Sequence, residues 1–407
     1  MLKPDVMREA TRLTRAGRVV EATALLQRML RGETAPGMTF STTDDVALIE
    51  REPLIIDAQV IEKTDRPHTR TPSNQPHRLR EALIHRTKKD FRVGLKGKIQ
   101  RVPPSTLDIV PAGGKFVECT YSNPAGSRDY KLYIPSRYRG EALPLVVMLH
   151  GCTQSPDDFA AGTRMNLMAE EQSCLVVYPA QHSEANRAKC WNWFRPTDQR
   201  RGQGEPSLIA GITREVMRTY SVDPQRVYIA GLSAGAAAAA VMGMTYPDLY
   251  AAIGVHSGLA CGAARDLPSA LAAMRQGNAA ASSAWGDVSI TLPDGPSVPA
   301  IIFHGDRDVT VHPSNGHQII ERSKKTTRTQ RTVHRGRVPG GHAYTRTIHT
   351  DVSGREIFEH WDIHGAGHAW SGGSPAGSYT DPRGPDATRE MLRFFLEQSH
   401  QRQLIER

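Results

Sequence analysis

The apolar residues of this chain follow two patterns that meet near residue 115. Beyond it, Phe116 to Tyr121 and Asp129 to Ile134 predict two antiparallel strands around the turn Asn123-Pro-Ala-Gly126. Leu143 to Leu149, Cys174 to Tyr178, Arg226 to Ala230, Val298 to Phe303 and Ile357 to Ile363 are bounded apolar runs of strand length. Between them, Ser207 to Tyr220, Ala234 to Met244 and Asp386 to Gln398 carry helical spacing. Strands that alternate with helices predict an α/β fold with a mostly parallel sheet covered on both faces, over residues 115–400.

The first part of the chain reads differently. Val6, Ala10 and Leu13, then Val20, Ala24, Leu25 and Met29, form an apolar face broken at Ala16-Gly17-Arg18, so residues 1–31 predict a helical hairpin. One such hairpin cannot bury its own face and needs the main domain, a second copy or a hydrophobic particle to cover it. From Gly32 to Gly114 the chain is rich in Thr, Pro, Arg and His, with one candidate strand at Ala47 to Val60. Residues 32–114 are therefore expected to be a largely disordered basic linker.

Composition narrows the classes. The 407 residues are 39% hydrophobic and 23% charged, enough for one large domain with an appendage. No run of eighteen apolar residues occurs, so no membrane-spanning helix is expected. The start of the chain, Met1 to Ala10, lacks an apolar leader region, which sets a cytoplasmic expectation. Five cysteines without a C-x-x-C pair argue against a zinc ribbon and read as small core residues. Cys152 and Cys190 flank segments assigned below to the site, where a bridge would brace two loops; the expected reducing compartment favours free thiols. The formal charge of +9 is concentrated between Arg66 and Arg101. Such a stretch could touch an anionic polymer or an acidic surface, but a solvated basic linker is the simpler reading, and nucleic acid is not an expected partner.

Chemistry enters at Gly231-Leu232-Ser233-Ala234-Gly235, set between a strand and a helix. G-x-S-x-G in that setting is a nucleophile elbow, which lifts the serine hydroxyl off the end of the sheet. Serine needs a base and an orienting acid, which in this arrangement follow it in chain order. After the strand Val298 to Phe303, Asp308 is the candidate acid and Asp306 is expected to hold the turn. After the last core strand, His368 lies on a glycine-bordered loop and is the candidate base, with His364 as the alternative. His364-x-x-x-His368 is not expected to hold a metal, because Gly365 and Gly367 disfavour a helix and no glutamate follows the first histidine. No cofactor is expected. The oxyanion donors would be the Ala234 N–H and that of Cys152 or Thr153, after the strand ending at Leu149; the choice stays open, with His150 read as structural. Trp191-Asn192-Trp193-Phe194 is core or one wall of an acyl pocket, with Trp370 as the opposite wall.

Together, Leu149-His-Gly-Cys-Thr-Gln154, Cys190-Trp-Asn-Trp-Phe194, the elbow, His304-Gly-Asp-Arg-Asp308 and Gly367-His-Ala-Trp-Ser-Gly-Gly373 resemble the poly(3-hydroxybutyrate) depolymerase family of esterases. That family shades into feruloyl and acetylxylan esterases of carbohydrate esterase family one. The resemblance spans about Phe116 to Leu396 and implies an α/β-hydrolase fold with Ser233 as nucleophile, Asp308 as acid and His368 as base. Secreted depolymerases of this family usually carry a leader and a C-terminal polymer-binding module, neither of which is recognisable here. The expectation is thus a cytoplasmic serine esterase acting on short-chain poly(3-hydroxyalkanoate) or its oligomers, with residues 1–114 available to contact a granule surface. The rival expectations are a feruloyl or acetylxylan esterase and, from another class, a granule- or nucleic-acid-binding protein with a vestigial hydrolase domain.

Overall fold

A computed structural model describes residues 109–277, 298–323 and 328–399, all within the unit Gly94–Arg407. The expected hairpin 1–31 and nearly all of the expected linker 32–114 lie outside these residues. Of that linker, residues 109–114 are described, and the first of them is packed on the domain. Ile109 is buried and its carbonyl accepts a hydrogen bond from Asn166 Nδ2 at 2.7 Å, so ordered structure begins ahead of the expected boundary at 115.

One ten-stranded sheet organises the described residues, in the order β1-β2-β4-β3-β5-β6-β7-β10-β9-β8. Its strands are β1 Lys115–Asn123, β2 Gly126–Ile134, β3 Leu143–Leu149, β4 Leu175–Pro179, β5 Val222–Leu232, β6 Ala252–His256, β7 Ala300–Gly305, β8 Gln330–Arg337, β9 Ala343–Thr350 and β10 Glu356–His364. From β4 to β10 the six central strands run parallel, while β1/β2 and β8/β9 flank them as antiparallel hairpins. A small parallel pair, β11 Trp370–Ser371 and β12 Thr380–Asp381, lies apart from the sheet.

Helices cover both faces. Pleating sends Leu145, Val147 and Leu149 of β3 into one core cluster and Val146 and Met148 into the other. The first cluster is closed by α3 Gly204–Thr219, α4 Ala234–Thr245, α5 Leu267–Gln276 and α6 Ser314–Ser323. The second is closed by α1 Pro156–Thr163, α2 Met165–Gln172 and α7 Ala387–Glu397, whose Met391, Leu392, Phe394 and Phe395 are buried. Helix α4 owes its closeness to the sheet to small residues: a Cβ on Gly243 would come within 2.7 Å of Ile253 Cγ2.

Topology places the site. The chain leaves β3, adds β4 on one side, and returns through α3 to lay β5 on the other side of β3. That reversal opens a crevice at the carboxyl ends of β3 and β5, the position where open α/β sheets bind ligands. Leu149 at the end of β3 pairs with Gly231 near the end of β5, so the two candidate loops leave the sheet side by side.

Candidate active site

Ser233 stands between β5 and α4 with φ +57° and ψ −118°. This conformation is costly for a residue with a side chain and is kept only where its surroundings enforce it. Here the enforcing feature is close backbone contact. A Cβ on Gly231 would lie 2.4 Å from the Gly235 carbonyl carbon, and one on Gly235 would lie 2.1 Å from the Leu149 oxygen. The two glycines of the pentapeptide are therefore needed for approach, and the positive φ falls on the serine itself.

The two aspartates after β7 separate cleanly. Asp308 is buried; its Oδ1 accepts from the N–H groups of Thr310 at 2.9 Å and Val311 at 2.8 Å, and its Oδ2 meets His368 Nδ1 at 2.6 Å. Burial alone would raise its pKa, but bonds from His304 and His368 outweigh it and hold the carboxyl well below the usual range. Asp306 instead bonds His364 Nδ1 at 3.0 Å and the Gly365 N–H at 2.7 Å, while His364 Nε2 lies 2.9 Å from Thr345 Oγ1. The second aspartate–histidine pair thus fastens the turn. The structure brings Asp308 to His368 and gives the alternative histidine to the other aspartate.

His368 is half-buried and sits on the loop between β10 and β11. What holds that loop was not anticipated from the sequence: His256, the last residue of β6. Its carbonyl accepts the Ser233 N–H at 2.9 Å, and its Nε2 accepts the Ser371 N–H at 3.0 Å. Its ring stacks between Phe303, at 5.7 Å, and Trp370, at 5.1 Å. Burial, reinforced by the neighbouring histidines, pushes its pKa down to about 3, so it stays neutral and Nε2 remains an acceptor. One buried histidine therefore ties the serine turn to the histidine loop. A signal for it was present: β3, β6, β7 and β10 reach His150, His256, His304 and His364 at their carboxyl ends.

Beside the serine, the loop His150 to Gln154 is tied down at several points. His150 is buried, with Nδ1 2.8 Å from the Gly151 carbonyl and Nε2 accepting from the Gln181 N–H at 3.1 Å, the structural role expected of it. The Thr153 N–H donates to the Ala188 carbonyl at 2.6 Å. That commitment occupies the Thr153 N–H, one of the two expected donors, while Ala234 N–H stands at the first position of α4, where the leading amides have no partner inside the helix. Cys152 is bonded to Cys190 in a disulfide with Cα atoms 4.2 Å apart, which corrects the expectation of free thiols. The bridge joins this loop to the aromatic segment. Buried Glu205, at the start of α3, holds that segment by accepting the Asn192 N–H at 2.7 Å and Asn192 Nδ2 at 2.7 Å.

The tryptophans depart from expectation. Trp191 is fully buried and donates from Nε1 to the His150 carbonyl at 3.1 Å. Trp370 is enclosed between Phe159 and His256, with Nε1 donating to Thr388 Oγ1 at 2.9 Å. Neither can wall an open pocket; both are core supports beneath the site loops. Trp193, 6% exposed, keeps only an edge free. The exposed groups at the rim are instead Thr153, Tyr379 and Val309, with Thr153 Oγ1 3.1 Å from the Tyr379 hydroxyl. A cleft of about 530 Å³ lies nearby, lined by charged groups such as Lys131, Asp157 and Lys189 and not by Ser233 or His368.

The sequence and the fold have counterparts among known proteins. Residues 128–329 match the family described as Esterase PHB depolymerase. Over that stretch, about half of its length, the chain is similar to this family. Within and around the PHB depolymerase match, the chain is 34% identical over 250 residues to poly(3-hydroxyalkanoate) depolymerase C of Paucimonas lemoignei, covering 61% of this chain and 59% of that protein. It is 28% identical over 241 residues to feruloyl esterase B of Neurospora crassa, covering 57% of this chain and 80% of that one. Among solved structures, the acetyl xylan esterase from Aspergillus awamori superposes with a TM-score of 0.52 at 20% identity, covering 70% of this chain and 99% of that one. That likeness shows the α/β-hydrolase fold expected from the sequence. Among the described residues no helix is long and apolar enough to cross a membrane.

Proposed function

We propose that the chain is a serine carboxylic ester hydrolase acting on short-chain poly(3-hydroxyalkanoate), polyhydroxybutyrate in particular, or its oligomers. The observation that carries the chemistry is the buried Asp308 bonded to His368 Nδ1 at 2.6 Å, on the same sheet edge as a serine held at positive φ. With Nδ1 fixed by the carboxylate, Nε2 is the nitrogen available to take the Ser233 proton. The serine oxygen then attacks the ester carbonyl and the Cys152 and Ala234 N–H groups receive the developing oxyanion. Return of the proton to the leaving alcohol gives the acyl-enzyme, and water, activated by the same histidine, completes hydrolysis. Thr153 takes no part as a donor in this scheme, since its N–H is held by Ala188.

The substrate reading is supported by the 34% identity to the depolymerase, with the esterases of plant-wall polysaccharides as the rival. The disulfide between the two site loops supports an oxidising compartment in place of the cytoplasm, because such bridges persist there and are reduced in the cytosol. Residues 1–114 are proposed to meet the polymer surface. One experiment separates the substrates: release of 3-hydroxybutyrate products from amorphous polymer and soluble oligomers, run beside methyl ferulate and acetylated xylan. The expected result is faster turnover of the hydroxybutyrate esters, abolished by Ser233→Ala. Preference for ferulate or acetyl groups would assign the chain to the rival.

A further inference from the structure

On the far side of β7 from the serine, α6 packs across β7 and β10, and a second cluster of reactive side chains forms there. His360 and Asp362 are two apart on β10, so pleating puts them on one face. His317 of α6 completes the group, and one ligand-capable atom from each residue lies within 4.8 Å of the others. Asp362 Oδ1 is 3.2 Å from His317 Nε2, Asp362 Oδ2 is 3.6 Å from His360 Nδ1, and the two imidazole rings meet edge to face at 4.4 Å.

His360 is the telling member. It is 2% exposed, its Nε2 has no partner, and its Nδ1 is too far from Asp362 for a hydrogen bond. Buried polar groups are almost always bonded, and a nitrogen left without a partner costs about 1–3 kcal/mol. Helix α6 passes close by, since a Cβ on Gly316 would come within 3.1 Å of His360 Nε2. That approach carries the next residue, His317, over Asp362. All three side chains line one cavity of about 210 Å³.

We infer that His317, His360 and Asp362 form a binding site for a divalent transition-metal ion of the zinc type, separate from the hydrolytic site. Two imidazoles and one carboxylate are the ligand types such an ion takes, at about 2.0–2.2 Å. Tetrahedral ligands at that distance stand about 3.4 Å apart, and one donor atom from each of the three residues already lies within 4.8 Å of the others. His317, more than half exposed, has room to make the remaining adjustment. Glu321, four residues along the same helix, also lines this cavity. An ion here would clamp α6 to β10, the strand that delivers the His368 loop.

The test uses the full-length chain stripped of metal and titrated with Zn2+ by calorimetry, with Co2+ as a spectroscopic probe. One Zn2+ per chain, a tetrahedral Co2+ absorption spectrum and a rise in melting temperature are expected. His317→Ala, at a largely exposed position, should weaken Zn2+ at least tenfold while its metal-free melting temperature stays near that of the unmodified chain. Asp362→Asn should weaken it likewise, and His368→Ala should leave it unchanged. Absence of stoichiometric binding, unaltered affinity in His317→Ala, or loss of binding in His368→Ala would each overturn the assignment.

Discussion

Asp306 and Asp308 leave the same strand two residues apart and meet different histidines, and this divergence gives a sharp residue-level contrast. Asp308 is buried and accepts two backbone N–H groups besides His368, so its carboxylate is fixed in direction as well as in charge. Asp308→Asn keeps the shape but removes the charge that fixes the tautomer of His368. It should lower kcat by roughly 10⁴, the scale seen when a triad aspartate is replaced by its amide. Asp306→Asn perturbs only the turn held through His364 and Gly365, and should cost less than about tenfold. Steady-state rates on p-nitrophenyl butyrate for the two variants check this. Equal losses would mean that the acid has been misassigned.

Among the elements, legibility tracked burial. The helices α3 and α7 were evident because an apolar face repeats at helical period in each, and β3, β5 and α4 because each holds a continuous apolar run between clear boundaries. Strands β8 and β9 were not. Gln330–Arg337 is largely exposed and carries Arg331, Arg335 and Arg337, so no buried face writes an alternation into it; such charges also protect an edge from further pairing. Strand β6 is five residues long and includes a glycine, too short to stand out, which is why His256 at its end went unnoticed. The tryptophans misled in the opposite sense: aromatic residues near a site suggested a pocket, whereas Trp191 and Trp370 are the packing under its loops. Between elements, the Cys152–Cys190 bridge closes a 38-residue separation, and a closed loop of that size stabilises by about 2–4 kcal/mol. The double variant Cys152→Ser, Cys190→Ser should therefore melt at a lower temperature and lose kcat more than it changes KM, since Cys152 N–H is the proposed oxyanion donor. An unchanged kcat would separate the bridge from catalysis.

For the molecule as a whole, buried histidines set the response to acid. Burial holds His150 at a pKa of about 4, and His256 and His360 at about 3, against 6.5 when exposed. Between those values the unfolded chain binds protons that the folded chain refuses, so stability falls as pH drops below about 6.5 and this loss continues toward pH 3–4. Each histidine contributes a slope of about 1.4 kcal/mol per pH unit inside its window. The depressed Asp308 adds its own loss only at lower pH, below the ordinary carboxylate range. Urea midpoints should thus be constant above pH 7 and already lower at pH 5. A flat profile across that interval would show that these rings protonate in the folded state.

The same cross-link bears on how the protein is handled. Thiol reductants are added to most purifications by habit, and here a reductant would act on the loop that holds the proposed oxyanion donor. A preparation kept in dithiothreitol and one kept in air would be two chemical species with one sequence. Redox history belongs among the assay conditions, beside pH and salt, and a preparation of mixed history would show two melting transitions.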